Sequence, residues 1–356
     1  MTNLKKIVQK FEASQNALVL QTSDLSLQTI AQMVDSGAID VSPKYQRRER
    51  WSPQAQSELM ESFLINVPIP PVYLSEDDFG TYSVIDGKQR ITTIYGFLFD
   101  QFALNGLKKF PEVDGLKFSG LPPELANALK IRPYLRVVTL LKQTDPELKY
   151  EVFTRLNTGG EPLLPQEIRN ALYRGPFNDL LFELGETPFL LQQLKIVKKT
   201  ETSYKEMQDV EVVLRFFSLS SNWENFDGNM RQSLDTFAAA NCGINKQKVL
   251  TAKKKFETAL ARCETLWGVD AFKRYQGSAY RDQFMSAMFD AQMISASELD
   301  DARYDELTHK VATVRKETLK LFTDERFVDA IRVSTNTPSK IRYRIAEVKN
   351  ILKNVR

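Results

Sequence analysis

The chain has 356 residues, 42% of them hydrophobic and 26% charged, which fits two domains or one large one and argues against a globally disordered protein. A net charge of +3 is too mild to mark a nucleic-acid binder by itself, and two cysteines, Cys242 and Cys263, exclude both a disulfide scaffold and a multi-cysteine zinc module. Met1 to Ser14 reads as no secretory signal and no stretch approaches the ~20 apolar residues of a membrane span, so a soluble cytoplasmic protein without membrane contact is expected.

In chain order, Ala17 to Leu20 is a candidate strand, and Ser26 caps a helix carrying Leu27, Ile30, Met33 and Val34. Ile39 to Gln46 is short and extended, with Pro43 confining it to an edge or loop. Ser52-Pro53 opens a helix whose Ala55, Leu59, Phe63 and Val67 recur every four residues with Met60 and Leu64 beside them, closed by Pro68, Pro70 and Pro71. Val72 to Leu74 and Tyr82 to Ile85 are strands around a turn at Glu76 to Gly80. The second strand runs through Asp86-Gly87 into a helix carrying Ile91, Ile94, Tyr95 and Leu98.

Leu135 to Leu141 is the last strand, and from Pro146 onward the pattern is helical. Phe256, Leu260, Cys263 and Trp267 form one stripe; Phe284, Met288 and Ala291 form a second; Ile341, Ile345, Val348 and Leu352 form a terminal one. The expected organisation is an α/β domain over residues 1–145 and an all-helical region over 146–356.

The only histidine, His309, rules out a His-x-x-x-His zinc site and an HNH nuclease centre. It sits in the charged run Glu306 to Lys310 and reads as part of a solvated helix face. Chemistry must therefore use carboxylates, amides, Arg, Lys and backbone.

Three segments carry information. In strand–Asp86-Gly87-Lys88-Gln89-Arg90–helix, a glycine at the handover leaves backbone N–H groups at a helix start, where the dipole favours an anion. Arg90 adds a planar guanidinium suited to phosphate, and Asp86 a carboxylate able to hold Mg²⁺ or orient a water. The alternative is an ordinary Asp-Gly turn in which Asp86 and Arg90 form a cap and a local ion pair. Phosphate binding predicts that Arg90→Ala abolishes affinity and leaves the fold intact.

The second segment, Tyr45-Gln46-Arg47-Arg48-Glu49-Arg50-Trp51, interleaves cations with aromatics as a nucleotide or nucleic-acid contact requires; equally, it could be a solvated loop whose Trp51 packs beside the Ser52 helix. The third, Phe153 to Asn170, joins two helices through Asn157-Thr158-Gly159-Gly160 and carries Arg155, Glu167 and Arg169, a polarity also common on helix surfaces.

Together the segments resemble the GmrSD N-terminal domain family: Tyr45-Gln46-Arg47…Trp51, Ile85-Asp86-Gly87-Lys88-Gln89-Arg90, and Phe153 to Arg169 are similar to its three ordered motifs. The resemblance runs from about residue 25 to 175. It implies a ParB/sulfiredoxin-like fold with a small mixed sheet, whose strand–Gly–helix turn binds nucleotide phosphates. It also implies restriction of foreign or phage DNA, with nucleoside triphosphate and Mg²⁺ bound here and DNA cleavage assigned to a separate HNH-type domain.

The roles carried over are phosphate contacts from Gly87, Lys88, Gln89 and Arg90, metal or water at Asp86, and pocket closure by Gln46 and Arg47. Arg155, Asn157 and Arg169 are expected to face the same cleft. The family's first motif glutamine is Lys88 here, which can reach phosphate but cannot position a water as an amide can, so nucleotide binding is better supported than hydrolysis.

The expected function is a nucleotide-binding sensor, or an Mg²⁺-dependent NTPase, acting on DNA or with a partner nuclease. The alternatives are a ParB-like DNA-binding module without enzymatic activity and an interaction subunit of a restriction complex. The cations of Ser339 to Arg356, of Lys253 to Lys255 and of Lys195 to Lys199 are read either as a basic surface or as scattered solvated faces.

Overall fold

A computed structural model describes residues 3–41, 51–156, 164–198 and 201–356. Gln46, Arg47 and Asn157 lie outside them. The chain divides into two compact units, Met1–Leu172 and Tyr173–Arg356.

The first unit runs α1 (Asn3–Ala17), β1 (Leu20–Ser26), α2 (Leu27–Asp35), β2 (Ile39–Asp40), α3 (Pro53–Leu64), β3 (Val72–Asp78), β4 (Thr81–Asp86), α4 (Lys88–Leu98), α5 (Pro123–Ile131), β5 (Tyr134–Leu140), α6 (Pro146–Leu156) and α7 (Pro165–Leu172). Ser26 and Ser52 cap α2 and α3 as their positions predict, accepting from the N–H of Thr29 and Ala55 at 3.1 and 3.2 Å. The five strands form one mixed sheet in the order β1-β5-β3-β4-β2, with β3/β5 and β2/β4 parallel and the other pairs antiparallel.

Side chains alternate across a strand, so each face buries its own set. Val72, Leu74, Val84, Leu135 and Val137 enter one core with Leu27, Ile30, Met60, Ile94 and Phe97 from α2, α3 and α4. Ile85 and Leu140 point the other way, into a smaller core with Phe153 of α6 and with Ile168 and Ala171 of α7. That second core accounts for where the first unit ends. A boundary at 145 would strip Ile85 and Leu140 of the helices that cover them, so the unit extends through α7.

The first strand also departs from expectation: Ala17 closes α1, and β1 occupies Leu20–Ser26. Its exposed, polar residues suit a sheet edge paired only to β5, and such an edge lacks the apolar alternation that marks a half-buried strand.

The second unit contains α8 (Pro176–Gly185), α9 (Pro188–Gln193), α10 (Thr202–Lys205), α11 (Gln208–Asn222), α12 (Met230–Asn241), α13 (Lys246–Trp267), β6 (Arg274–Gln276), β7 (Ala279–Arg281), α14 (Ser286–Ser297), α15 (Asp301–Thr308), α16 (Val311–Leu321), α17 (Glu325–Arg332) and α18 (Pro338–Asn354). The predicted stripes on α13 and α18 are buried throughout. The region is not all-helical, because β6 and β7 form a hairpin around Gly277-Ser278, whose glycine takes a φ of 69°. Among the described residues no helix is long and apolar enough to cross a membrane. His309 follows α15 and is exposed, as its charged surroundings predict.

Candidate functional site

The corner between β4 and α4 is built around Gly87, which adopts φ 90°, ψ 16° as the N-cap of α4. A Cβ at this position would lie 2.3 Å from Cγ1 of Val72, a fully buried, β-branched residue at the start of β3. Gly87 is thus required twice, by its left-handed backbone and by the close approach of the neighbouring strand. Gly87, as the N-cap, carries no side chain of its own to cap α4, whose first turn places backbone N–H groups at the positive end of the dipole.

Asp86 ends β4 opposite Tyr73. Its Oδ2 accepts from Nη2 of Arg90 at 2.7 Å, while Nη1 of Arg90 donates to the carbonyls of Pro70 at 2.5 Å and Pro71 at 3.0 Å. Arg90 therefore ties the entry to β3, the end of β4 and the first turn of α4 together, with 12% of its side chain exposed. The local ion pair foreseen as an alternative is present, and the two proline carbonyls extend it into a three-way clamp.

This changes the expected behaviour of the Arg90→Ala variant. Three charge-assisted bonds vanish and a partly buried carboxylate loses its cation, so the first unit should lose about 2–3 kcal/mol, measured as a lower urea midpoint. Arg90→Lys should recover only part of the loss, because a point charge cannot reach three acceptors at once. A midpoint unchanged in Arg90→Ala would refute the clamp.

The other motifs approach the same corner. The backbone N–H of Trp51 donates to Oε1 of Gln89 at 3.2 Å, which sets the end of the Tyr45–Trp51 segment on the first turn of α4. Phe153 and Ile168, from the two helices of the third motif, pack on Ile85, the residue before Asp86.

The polar residues of that motif divide. Arg155 is exposed and pairs with Glu151 one turn back on its own helix. Arg169 is only 2% exposed and donates to Oε1 of Gln166 at 3.2 Å; Gln166 in turn donates to Oδ1 of Asn170 at 2.9 Å. Glu167, also buried, accepts from the Leu164 N–H at 2.8 Å and closes the start of α7. These four are interior groups on an eight-residue helix and not a solvated surface. Buried polar side chains survive when they are mutually satisfied, which marks α7 as a positioning element.

Asp86 keeps Oδ1 without a donor among the described residues, and no cluster of three or more potential ligands surrounds it. A single carboxylate oxygen suits Mg²⁺ held mainly by phosphate and water, and does not suit a cation caged by protein.

Several cations of the basic runs considered for the helical unit are held by carboxylates. Lys340 pairs with Asp329, Lys253 with Glu183 and Lys195 with Asp282. Lys349 pairs with Glu298, and Arg344 is fully buried against Asp290. Helical spacing explains the last of these: position 344 lies on the inner face with Ile341, Ile345 and Val348.

Residues 28–174 match the family model of the GmrSD restriction endonuclease, N-terminal domain, which spans from α2 to just past α7. No curated protein and no solved structure matches the chain.

Proposed function

We propose, from the premise that residues 28–174 belong to the GmrSD restriction endonuclease N-terminal domain family, that the chain acts in the cytoplasm in restriction of foreign DNA as a nucleotide-responsive component. The observation that carries this reading is the convergence at the end of β4. Trp51 bonds to Gln89 in the first turn of α4, and Phe153 and Ile168 pack on Ile85 just before Asp86, so parts of three distant segments lie beside the start of α4.

A triphosphate would lie against the first-turn N–H groups of α4 with Lys88 supplying charge, as in the strand–Gly–helix turn of ParB/sulfiredoxin-like domains. Asp86 would hold Mg²⁺ through Oδ1; the ion, when bound, neutralises phosphate oxygens. Arg90 is a positioning residue in this scheme, since its donors already serve Asp86 and the two prolines. Gln89 spends its amide oxygen on Trp51, and Lys88 cannot accept from a water, so the site is one for binding more than for turnover. Cleavage then belongs to a partner nuclease.

The test is a thermal shift of the full chain with each nucleoside triphosphate and Mg²⁺. A ligand at a hundred times its Kd adds about 2.7 kcal/mol to native stability and raises Tm accordingly. Lys88→Glu should weaken binding at least about tenfold, because a like charge faces phosphate, with affinity compared below the Tm of the ligand-free variant. No shift with any nucleotide, alongside salt-sensitive DNA binding, would replace this reading with a non-enzymatic DNA-binding module. Neither ligand binding, alongside co-purification with a nuclease, would leave an interaction subunit.

A further inference from the structure

The β6–β7 hairpin breaks a rule of cross-strand pairing. Its register sets Arg274 directly opposite Arg281, and like charges facing each other across two strands are destabilising. Arg332, at the end of α17, adds a third positive charge. Among the described residues none of the three arginine side chains has a carboxylate partner, and the buried Nε of Arg274 donates to nothing. Burial, then the charges of Arg332 and Arg281, pull the pKa of Arg274 below the usual guanidinium value. A fold tolerates such a cluster when a ligand supplies the missing anion.

The surroundings indicate what kind of anion. Arg274 stands between two open hollows of about 410 and 520 Å³, and the ring of Phe322 lines both. Lys316 and Lys320 line one; Arg332, Glu325 and Asp329 line the other. Lys320 is paired with Glu317, and Asp329 is neutralised by Lys340 at 2.7 Å, so Glu325 alone opposes Arg274, Arg332 and Lys316. Tyr280 fastens the hairpin to the same wall, its ring centre 6.1 Å from that of Phe322.

A guanidinium between two hollows that share an aromatic wall repeats the alternation of phosphate and base along a single strand. Duplex DNA keeps its bases stacked away from such a ring, and a small anion would have no use for the second hollow. We propose that this groove binds single-stranded nucleic acid, phosphodiesters resting on Arg274, Arg281 and Arg332 and bases against Phe322. The proposal takes only its class of ligand from the reading above and does not need the nucleotide site.

The experiment is fluorescence anisotropy of the full chain with a short labelled oligothymidine over a salt series. Arg274→Ala with Arg332→Ala should weaken binding at least about tenfold and lower the slope of log K against log salt by about 1.4, roughly 0.7 per phosphate contact. Phe322→Leu should weaken it about fivefold or more at an unchanged slope, as lost stacking does. Arg281→Ala should weaken binding while Tm holds or rises, since it relieves repulsion.

Undiminished affinity in the double variant would overturn the proposal. So would a duplex of the same length binding more tightly than the single strand. Displacement of the oligonucleotide by pyrophosphate at equal phosphate concentration would show a small-anion site instead, and would overturn it as well. Lys88→Glu should leave the anisotropy curve in place, which separates failure here from failure of the nucleotide site.

Discussion

Asp290→Ala should cost the helical unit about 3–5 kcal/mol, one of the largest losses expected from any single substitution in the chain. Asp290 lies on α14 with no exposed side-chain surface. It receives a two-pronged contact from Arg215 of α11 at 2.7 Å for each oxygen, and a third bond from Arg344 of α18. Arg344 also donates to the carbonyls of Ala330 and Thr335, and Arg215 to Oδ1 of Asn336.

Removing the carboxylate leaves two guanidiniums in the interior facing each other, and the penalty is their uncompensated burial more than the lost attraction. Asp290→Asn should cost less, because it retains acceptors. Replacing all three residues by apolar ones of similar volume should restore much of the loss. Urea unfolding followed by circular dichroism measures each; a loss below about 1 kcal/mol in Asp290→Ala would refute the account.

The same group sets an acid limit. Burial pushes the Asp290 carboxyl up, but the adjacent Arg215 and Arg344 outweigh it and the net shift is downward. A depressed native pKa contributes stability that is full above the unfolded value, about 4, and is lost as pH falls through the native one. The unit should therefore hold near neutrality and weaken only below about pH 4.

Gly87→Ala is the second large effect. The substitution asks an L-residue to adopt a φ of 90° and drives its Cβ into Val72, whose branched side chain is fixed within the sheet. Strain of this backbone type costs about 1–3 kcal/mol, and overpacking a buried contact costs about as much again. The first unit should lose roughly 2–5 kcal/mol by the same urea assay. On the proposed reading nucleotide affinity, measured below the lowered Tm, should fall too, because the first turn of α4 must shift to admit the methyl group. Gly87→Ala combined with Val72→Ala should regain part of the steric cost but none of the backbone cost. Identical midpoints for the single and double variants would show that Val72 is not the obstacle.

Much of this corner is legible in the sequence because each part follows from local chemistry. Tyr82-Ser83-Val84-Ile85 ahead of an Asp-Gly pair and a helical period can hardly fold otherwise, and Ser52-Pro53 announces α3 in the same way. The Asp86–Arg90 pair follows from i,i+4 spacing. The carbonyls of Pro70 and Pro71 do not: they lie about twenty residues earlier and meet Arg90 only after β3 and β4 have paired.

The interior residues of α7 and α18 escape for a related reason. A helical period reveals which face turns inward, but Arg169 and Arg344 on that face look like surface charges until their partners are placed. The β6–β7 hairpin is missed because three-residue strands carry almost no periodic signal. The Gly277-Ser278 pair between two tyrosines was the available clue.

Val84 and Ile85, adjacent in the chain, are anchored in separate cores on opposite sides of the sheet. The end of β4 before Asp86 is thus gripped from above and below, like a rivet through two plates. On the proposed reading, an incoming triphosphate would meet a corner whose geometry is already set, and little of its binding free energy would be lost to ordering the protein.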